Sequence, residues 1–136
     1  MEPSRALTDE GRREVESLAR IALHFEVPLR RIEHSGKLRA QQTAEVLESV
    51  LRPRDGVGER AGLGPNDDVA ALAAGLGDCD GLMLVGHLPS LERLVGLLVA
   101  GDAGRRVLRM QNGGILALDD DDGDWTIRWS LLPHLG

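Results

Sequence analysis

The stretch Leu82-Met83-Leu84-Val85-Gly86-His87-Leu88-Pro89-Ser90-Leu91-Glu92 decides the fold. Four consecutive apolar residues suit a strand buried on both faces. Pro89 suits the first position of a helix whose apolar residues are Leu91, Leu94, Val95, Leu97 and Leu98. His87 therefore falls at a strand tip, where open α/β sheets gather ligands and where the next helix presents free N–H groups to anions. An imidazole there can donate to a phosphate or move a proton near neutral pH, and the position equally suits a turn histidine bonded to a loop carbonyl.

Working outward, Thr8 caps a helix expected from about Asp9 to Phe25, with Val15, Leu18, Ala19, Ile21 and Ala22 on one face. His24, late in that helix, suits a surface role. Val27-Pro28 stops it, and Leu29 to Glu33 follows as a short strand with Ile32 as its core residue. His34-Ser35-Gly36-Lys37 leads to a helix over Leu38 to Leu51, with Ser35 as N-cap or loop ligand. Arg52 to Glu59 is polar and rich in Pro and Gly, and reads as a loop. The turn Leu63-Gly64-Pro65-Asn66-Asp67-Asp68 opens a short helix from about Val69 to Leu76.

Beyond the helix after Pro89, Gly101 to Arg106 reads as a loop and Val107 to Met110 as a short edge strand. Ile115 to Leu118 is a strand, Asp119 to Asp124 a charged hairpin loop, and Trp125 to Leu132 the returning antiparallel strand ended by Pro133. The acidic loop lacks the helical flanks and ligand order of a calcium-binding EF-hand. His134 is incidental at the terminus. Helices alternating with short buried strands, followed by a hairpin, give an α/β fold. It is expected to be a three-layer α/β/α arrangement, with a mostly parallel sheet and an antiparallel edge strand.

The 136 residues have the length of one domain. A net charge of −6 and an aromatic share of 2% argue against nucleic acid, since the balance is acidic and no interleaved aromatics are there to stack on single strands. With no apolar run long enough to span a bilayer and no secretory leader, the expected location is the cytoplasm, without a membrane partner. The one cysteine, Cys79, excludes a disulfide within the chain, and its acidic neighbours oppose a reactive thiolate.

Arg39 is the second residue that local physics singles out. It stands with Lys37 at the start of a helix, where positive charge opposes the macrodipole at a cost of up to about 1 kcal/mol. That placement makes sense if an anion binds there, because a guanidinium fork, helix N–H groups and a strand-tip histidine make a phosphate cradle. A solvated Arg39 that simply tolerates the cost is the alternative.

Ser35-Gly36-Lys37-Leu38-Arg39-Ala40-Gln41-Gln42-Thr43-Ala44-Glu45 resembles the Ser-x-x-x-Arg-Ala-x-Gln-Thr-Ala segment of the histidine phosphatase superfamily, whose fold is phosphoglycerate mutase-like. Val85-Gly86-His87-Leu88-Pro89 resembles its second histidine motif. Pro3-Ser4-Arg5-Ala6-Leu7-Thr8-Asp9-Glu10-Gly11 is similar to the entry segment of the small SixA-type phosphohistidine phosphatases. The resemblance implies that Arg39 binds a phosphoryl group and that His87 contacts it and stabilises the charge developing in transfer. The Leu88 N–H would then act as an oxyanion-type donor. It also implies hydrolysis of phosphohistidine on a protein through a phosphohistidine enzyme intermediate, with no metal and no cofactor. Asp67, in the loop that resembles the one beside the family's pocket, is a candidate proton donor.

The family's nucleophile comes from an Arg-His-Gly or Gln-His-Gly motif at the tip of a first strand, and neither motif occurs in these residues. The expectation is a chain that lacks the first strand and is impaired as a phosphatase, from a natural product that is longer. His34 is expected to shape the pocket. Burying about four aliphatic residues in a central strand is worth on the order of 6 to 12 kcal/mol, so a vacated slot favours self-association. The open alternatives are a non-catalytic phosphate-binding or protein-interaction module of the same fold, and a mutase or small-molecule phosphatase, which fits less well without the insertions that cover a small phosphorylated substrate.

Overall fold

The computed structural model describes residues 5–25, 28–77 and 79–132. Expectations placed on Pro3, Ser4, Val27, Pro133 and His134, and on Asp78 beside Cys79, lie outside these residues. The fold class is the one expected, mixed α/β with a three-stranded parallel sheet and an antiparallel pair.

Helix α1 (Asp9–Leu23) starts where Thr8 Oγ1 accepts the Gly11 N–H at 2.9 Å, with Asp9 and Glu10 favourable at the positive end of the dipole. It buries Val15, Leu18, Ala19 and Ala22, spaced to form one helical face. Strand β1 (Arg31–His34) begins two residues after the expected Leu29, because the Arg30 and Arg31 N–H groups are both spent on the Gly81 carbonyl at 2.7 and 3.1 Å. Helix α2 (Leu38–Leu51) has the expected bounds and packs against α1.

Strand β2 (Val57–Glu59) corrects the loop expected there. Its three residues are too few to show an alternating pattern, yet they pair in parallel with β1 from Ile32↔Val57 to His34↔Glu59. Helix α3 (Val69–Ala74) is capped by Asp68, whose Oδ1 accepts the Ala70 N–H. Strand β3 (Leu82–Val85) pairs with the other side of β1, from Arg31↔Leu82 to His34↔Val85, giving the order β2-β1-β3. Helix α4 (Ser90–Ala100) starts one residue later than expected, with Pro89 as N-cap after a cis Leu88–Pro89 bond.

Strands β4 (Ile115–Asp121) and β5 (Asp124–Leu131) form the hairpin. The charged loop expected over Asp119 to Asp124 is in fact only Asp122-Gly123, at φ 54° and 87°. Two successive positive φ angles match a tight turn to the twist of its strands, and glycine takes that conformation without a steric cost. Val107 to Met110 is not a strand. Glu92 occupies that backbone instead, its Oε2 accepting the Met110 N–H at 2.6 Å.

Helices cover both faces of the parallel sheet. On one face Ile32, Met83 and Val85 pack with Val15, Ala19, Ala44 and Leu47 of α1 and α2. On the other, Leu84 packs with Val69, Leu72 and Leu94 of α3 and α4. Ile32, in the middle strand, is 0% exposed. Leu82 to Val85, expected to be fully buried, are each half-buried. The reason is topological: among the described residues β3 has a strand partner on one side only, and β4 and β5 pair with each other as a second sheet. Because β1 and β3 run parallel and in register, their carboxyl ends, His34 and Val85, emerge side by side.

Candidate functional site

The site is built where those two strand tips meet the starts of α2 and α4. His87 follows β3 by two residues and is 5% exposed. Its Nε2 shares a 2.7 Å hydrogen bond with Ser35 Oγ, just beyond the tip of β1. The same Ser35 Oγ accepts the Lys37 N–H at 3.3 Å, and the Gly36 N–H donates to His34 Nδ1 at 3.0 Å. Ser35 therefore joins the two motifs directly, as a loop ligand, while Lys37 holds the N-cap position of α2.

The start of α2 carries two cations, Lys37 and Arg39. Lys37 gives no side-chain cap, and no acidic residue lies in the first turn. Nothing within the helix offsets the dipole's positive end beside Lys37 and Arg39, and the fold brings the Glu59 carboxylate of β2 across from Gly36. Burial pushes the His87 imidazole below its ordinary value of 6.5, and the positive charges of Lys37 and Arg39 push it the same way. A neutral His87 at neutral pH follows.

Arg39 has a buried Nε with no hydrogen-bond partner among the described residues. A guanidinium N–H out of water and unpaired is costly, and an anion removes that cost. Its backbone is fixed by Thr43, whose hydroxyl donates to the Arg39 carbonyl at 2.9 Å. Gln42, one helical position earlier, uses its Oε1 to accept the Leu7 N–H at 2.7 Å. Two adjacent residues of α2, Gln42 and Thr43, thus tether the segment before α1 and lock the turn that carries the cation.

An open cavity of about 500 Å³ is lined by Ser35, Gly36 and Lys37, by the Glu59 carboxylate and by the loop from Gly62 to Asp67. The sequence-derived residues divide accordingly. Arg39 lies close enough to His87 for its charge to act on the imidazole, with Leu88 next in the chain beyond β3, and neither Arg39 nor His87 lines that cavity. Asp67 lines the adjoining cavity, where its Oδ2 accepts the Gly64 N–H at 2.7 Å and so staples its own loop.

Two features had no signal in local sequence. Ser35 and His87 are 52 positions apart and become partners only through the β1–β3 pairing. Glu33, behind the tip of β1, accepts from Arg60 Nε at 2.6 Å and from Arg31 Nε at 3.0 Å. Burial alone would raise the Glu33 carboxyl, but these hydrogen bonds and charges outweigh it and hold the carboxyl below its ordinary value. Among the described residues no three His, Cys, Asp or Glu side chains cluster to hold a metal ion, and no helix is long and apolar enough to cross a membrane.

No family model and no curated protein matches the chain. Solved structures do. A SixA protein histidine phosphatase complexed with tungstate superposes with a TM-score of 0.86 at 25% identity, over 98% of this chain and 87% of that one. A SixA described as a phosphohistidine phosphatase candidate, from Agrobacterium tumefaciens, superposes with a TM-score of 0.77 at 21% identity, over the same shares. With its parallel three-stranded sheet and antiparallel pair, the chain has the fold of the SixA-type histidine phosphatases.

Proposed function

We propose that this pocket binds the phosphoryl group of a phosphorylated protein and that the chain, as a single cytoplasmic domain, serves phosphohistidine hydrolysis of the SixA kind. One observation carries the reading. The buried Nε of Arg39 has no partner among the described residues, and it lies at a helix start without a side-chain cap, with the neutral His87 close enough to feel its charge. A tetrahedral dianion meets all three needs. Tungstate in the neighbouring SixA structure is an anion of that shape and charge.

In this reading Arg39 grips two phosphoryl oxygens through its planar fork, and the first-turn N–H groups of α2 add directed donors. His87, its Nε2 positioned by Ser35, donates to a third oxygen once the anion has raised its proton affinity. The Leu88 N–H would add a donor to the charge that develops in transfer. Asp67 would hand a proton to a leaving group from Oδ1, while Oδ2 keeps the Gly64 N–H. Turnover by this route also needs a nucleophilic imidazole, and no Arg-His-Gly or Gln-His-Gly motif occurs in these residues. The second reading is a phosphate-binding module without turnover, and the assay below separates the two.

Tungstate and inorganic phosphate should raise the melting temperature of the protein, and Arg39→Ala should abolish the rise. A shift that survives Arg39→Ala would sink the pocket assignment. Release of phosphate from a phosphohistidine peptide separates the phosphatase from the binding module, and small phosphomonoesters serve as the comparison substrate.

A further inference from the structure

His34 holds the middle of the site's floor. It ends β1, between Glu59 of β2 and Val85 of β3, and its carbonyl accepts the Arg60 N–H at 2.8 Å. The imidazole is buried at 8% exposure, on the same side of the strand as Ile32. We propose that His34 is a positioning residue of the anion site, whose Nδ1 sets the turn that carries Ser35 to His87 and delivers the chain into α2.

The Gly36 N–H points at His34 Nδ1 from 3.0 Å, so Nδ1 is an acceptor and the ring proton of the neutral imidazole sits on Nε2. This bond holds Gly36 at φ +89°, where a Cβ would come within 2.6 Å of the Glu59 carboxyl carbon and 2.8 Å of both its oxygens. No other residue type fits there without moving Glu59. Beside the held Gly36, the Oγ of Ser35 meets His87 Nε2 on one side and the Lys37 N–H on the other. Lys37 is the N-cap, and Arg39 follows in the first turn. One ring nitrogen thus orients both the imidazole and the guanidinium of the pocket without touching the anion.

The inference rests on the phosphate reading, and its test keeps the two apart. Asn at position 34 places Oδ1 near the site of Nδ1, whereas Gln reaches toward the site of Nε2 and Ala removes the acceptor. Tungstate affinity is measured by calorimetry on the full chain. His34→Asn should bind within about threefold of the parent, and His34→Gln and His34→Ala about five- to tenfold more weakly, the effect of one lost hydrogen bond. If His34→Gln binds like the parent, or His34→Asn binds as weakly as His34→Ala, the positioning role is wrong and the phosphate reading stands. A parent that binds no tungstate removes both. Nitrogen NMR of the parent at neutral pH is the readout that needs no variant: an Nε2–H tautomer supports the role, and an Nδ1–H tautomer overturns it.

Discussion

Replacing Glu33 with Gln tests how the tips of β1 and β2 are held. The carboxylate receives Arg60 Nε at 2.6 Å and Arg31 Nε at 3.0 Å, with side-chain exposures of 14% for Glu33, 24% for Arg60 and 31% for Arg31. A hydrogen bond to a charged group is worth about 1.5–3 kcal/mol net when well shielded, and this degree of exposure favours the lower end. Glutamine keeps one acceptor and turns an amide donor toward the other guanidinium. The expected loss is therefore about 2–3 kcal/mol at pH 7, a large part of the roughly 5–15 kcal/mol that holds a domain together. At about 3–4 °C per kcal/mol for a chain of this size, the melting temperature should fall by about 6–12 °C. Because the folded-state carboxyl titrates below its ordinary value of 4.5, its contribution is complete above that value and disappears as pH falls through the folded one. Urea denaturation of parent and Glu33→Gln, repeated from pH 7 down to pH 3, should show a gap that is constant near neutrality and closes in acid. An unchanged gap at pH 3, or no gap at pH 7, would refute the assignment.

Two further outcomes follow from the site and the sheet. The folded-state imidazole of His87 titrates below 6.5, so the neutral ring's contribution to stability is complete above that pH and is lost as pH falls from there toward the folded value. The melting temperature of the parent relative to His87→Gln should therefore drop between pH 8 and pH 5, and tungstate should shrink the drop by countering Lys37 and Arg39; parallel pH profiles would contradict this. We also propose that the unpaired edge of β3, with its half-buried Leu82 to Val85, supports self-association. Sedimentation velocity should show a heavier species growing with concentration, and a single monomer boundary at all concentrations would remove the proposal.

The parts of the fold legible in sequence are those whose signal is local. Thr8 followed by two acids and a helical apolar stripe fixes α1, and the run Leu82 to Val85 fixes β3. The failures share a cause. Val57-Gly58-Glu59 becomes a strand because β1 lies beside it, and three residues carry no period of their own. In the hairpin, the Asp-Gly turn signal at Asp122-Gly123 was hidden within a run of acids that reads as one long loop, although most of those acids sit on paired strands. Val107 to Met110 has strand-like composition, but its backbone answers to Glu92. The same division runs through the site. Arg39 and His87 stood out because each occupies an element boundary where its chemistry is unusual. The Ser35–His87 and Glu33–Arg60 partnerships span 52 and 27 positions, and only the folded sheet makes them.

The parallel pairing of β1 with β3 also sets when the site can exist. The β4–β5 hairpin closes over a two-residue turn, and helices form from neighbours in sequence, events of roughly microseconds or less. Ser35 and His87 can meet only after the intervening chain, with β2 and α3 in it, has closed on itself and β3 has found the right register. Non-local parallel contacts are the slow ones, because the entropy of closing the loop is lost before any contact repays it. The pocket is therefore among the last features to appear as the chain folds and among the first to vanish as it opens. If the proposed site binds tungstate, that affinity followed during refolding is a clock for closure of the central sheet, separate from any signal that reports helix content.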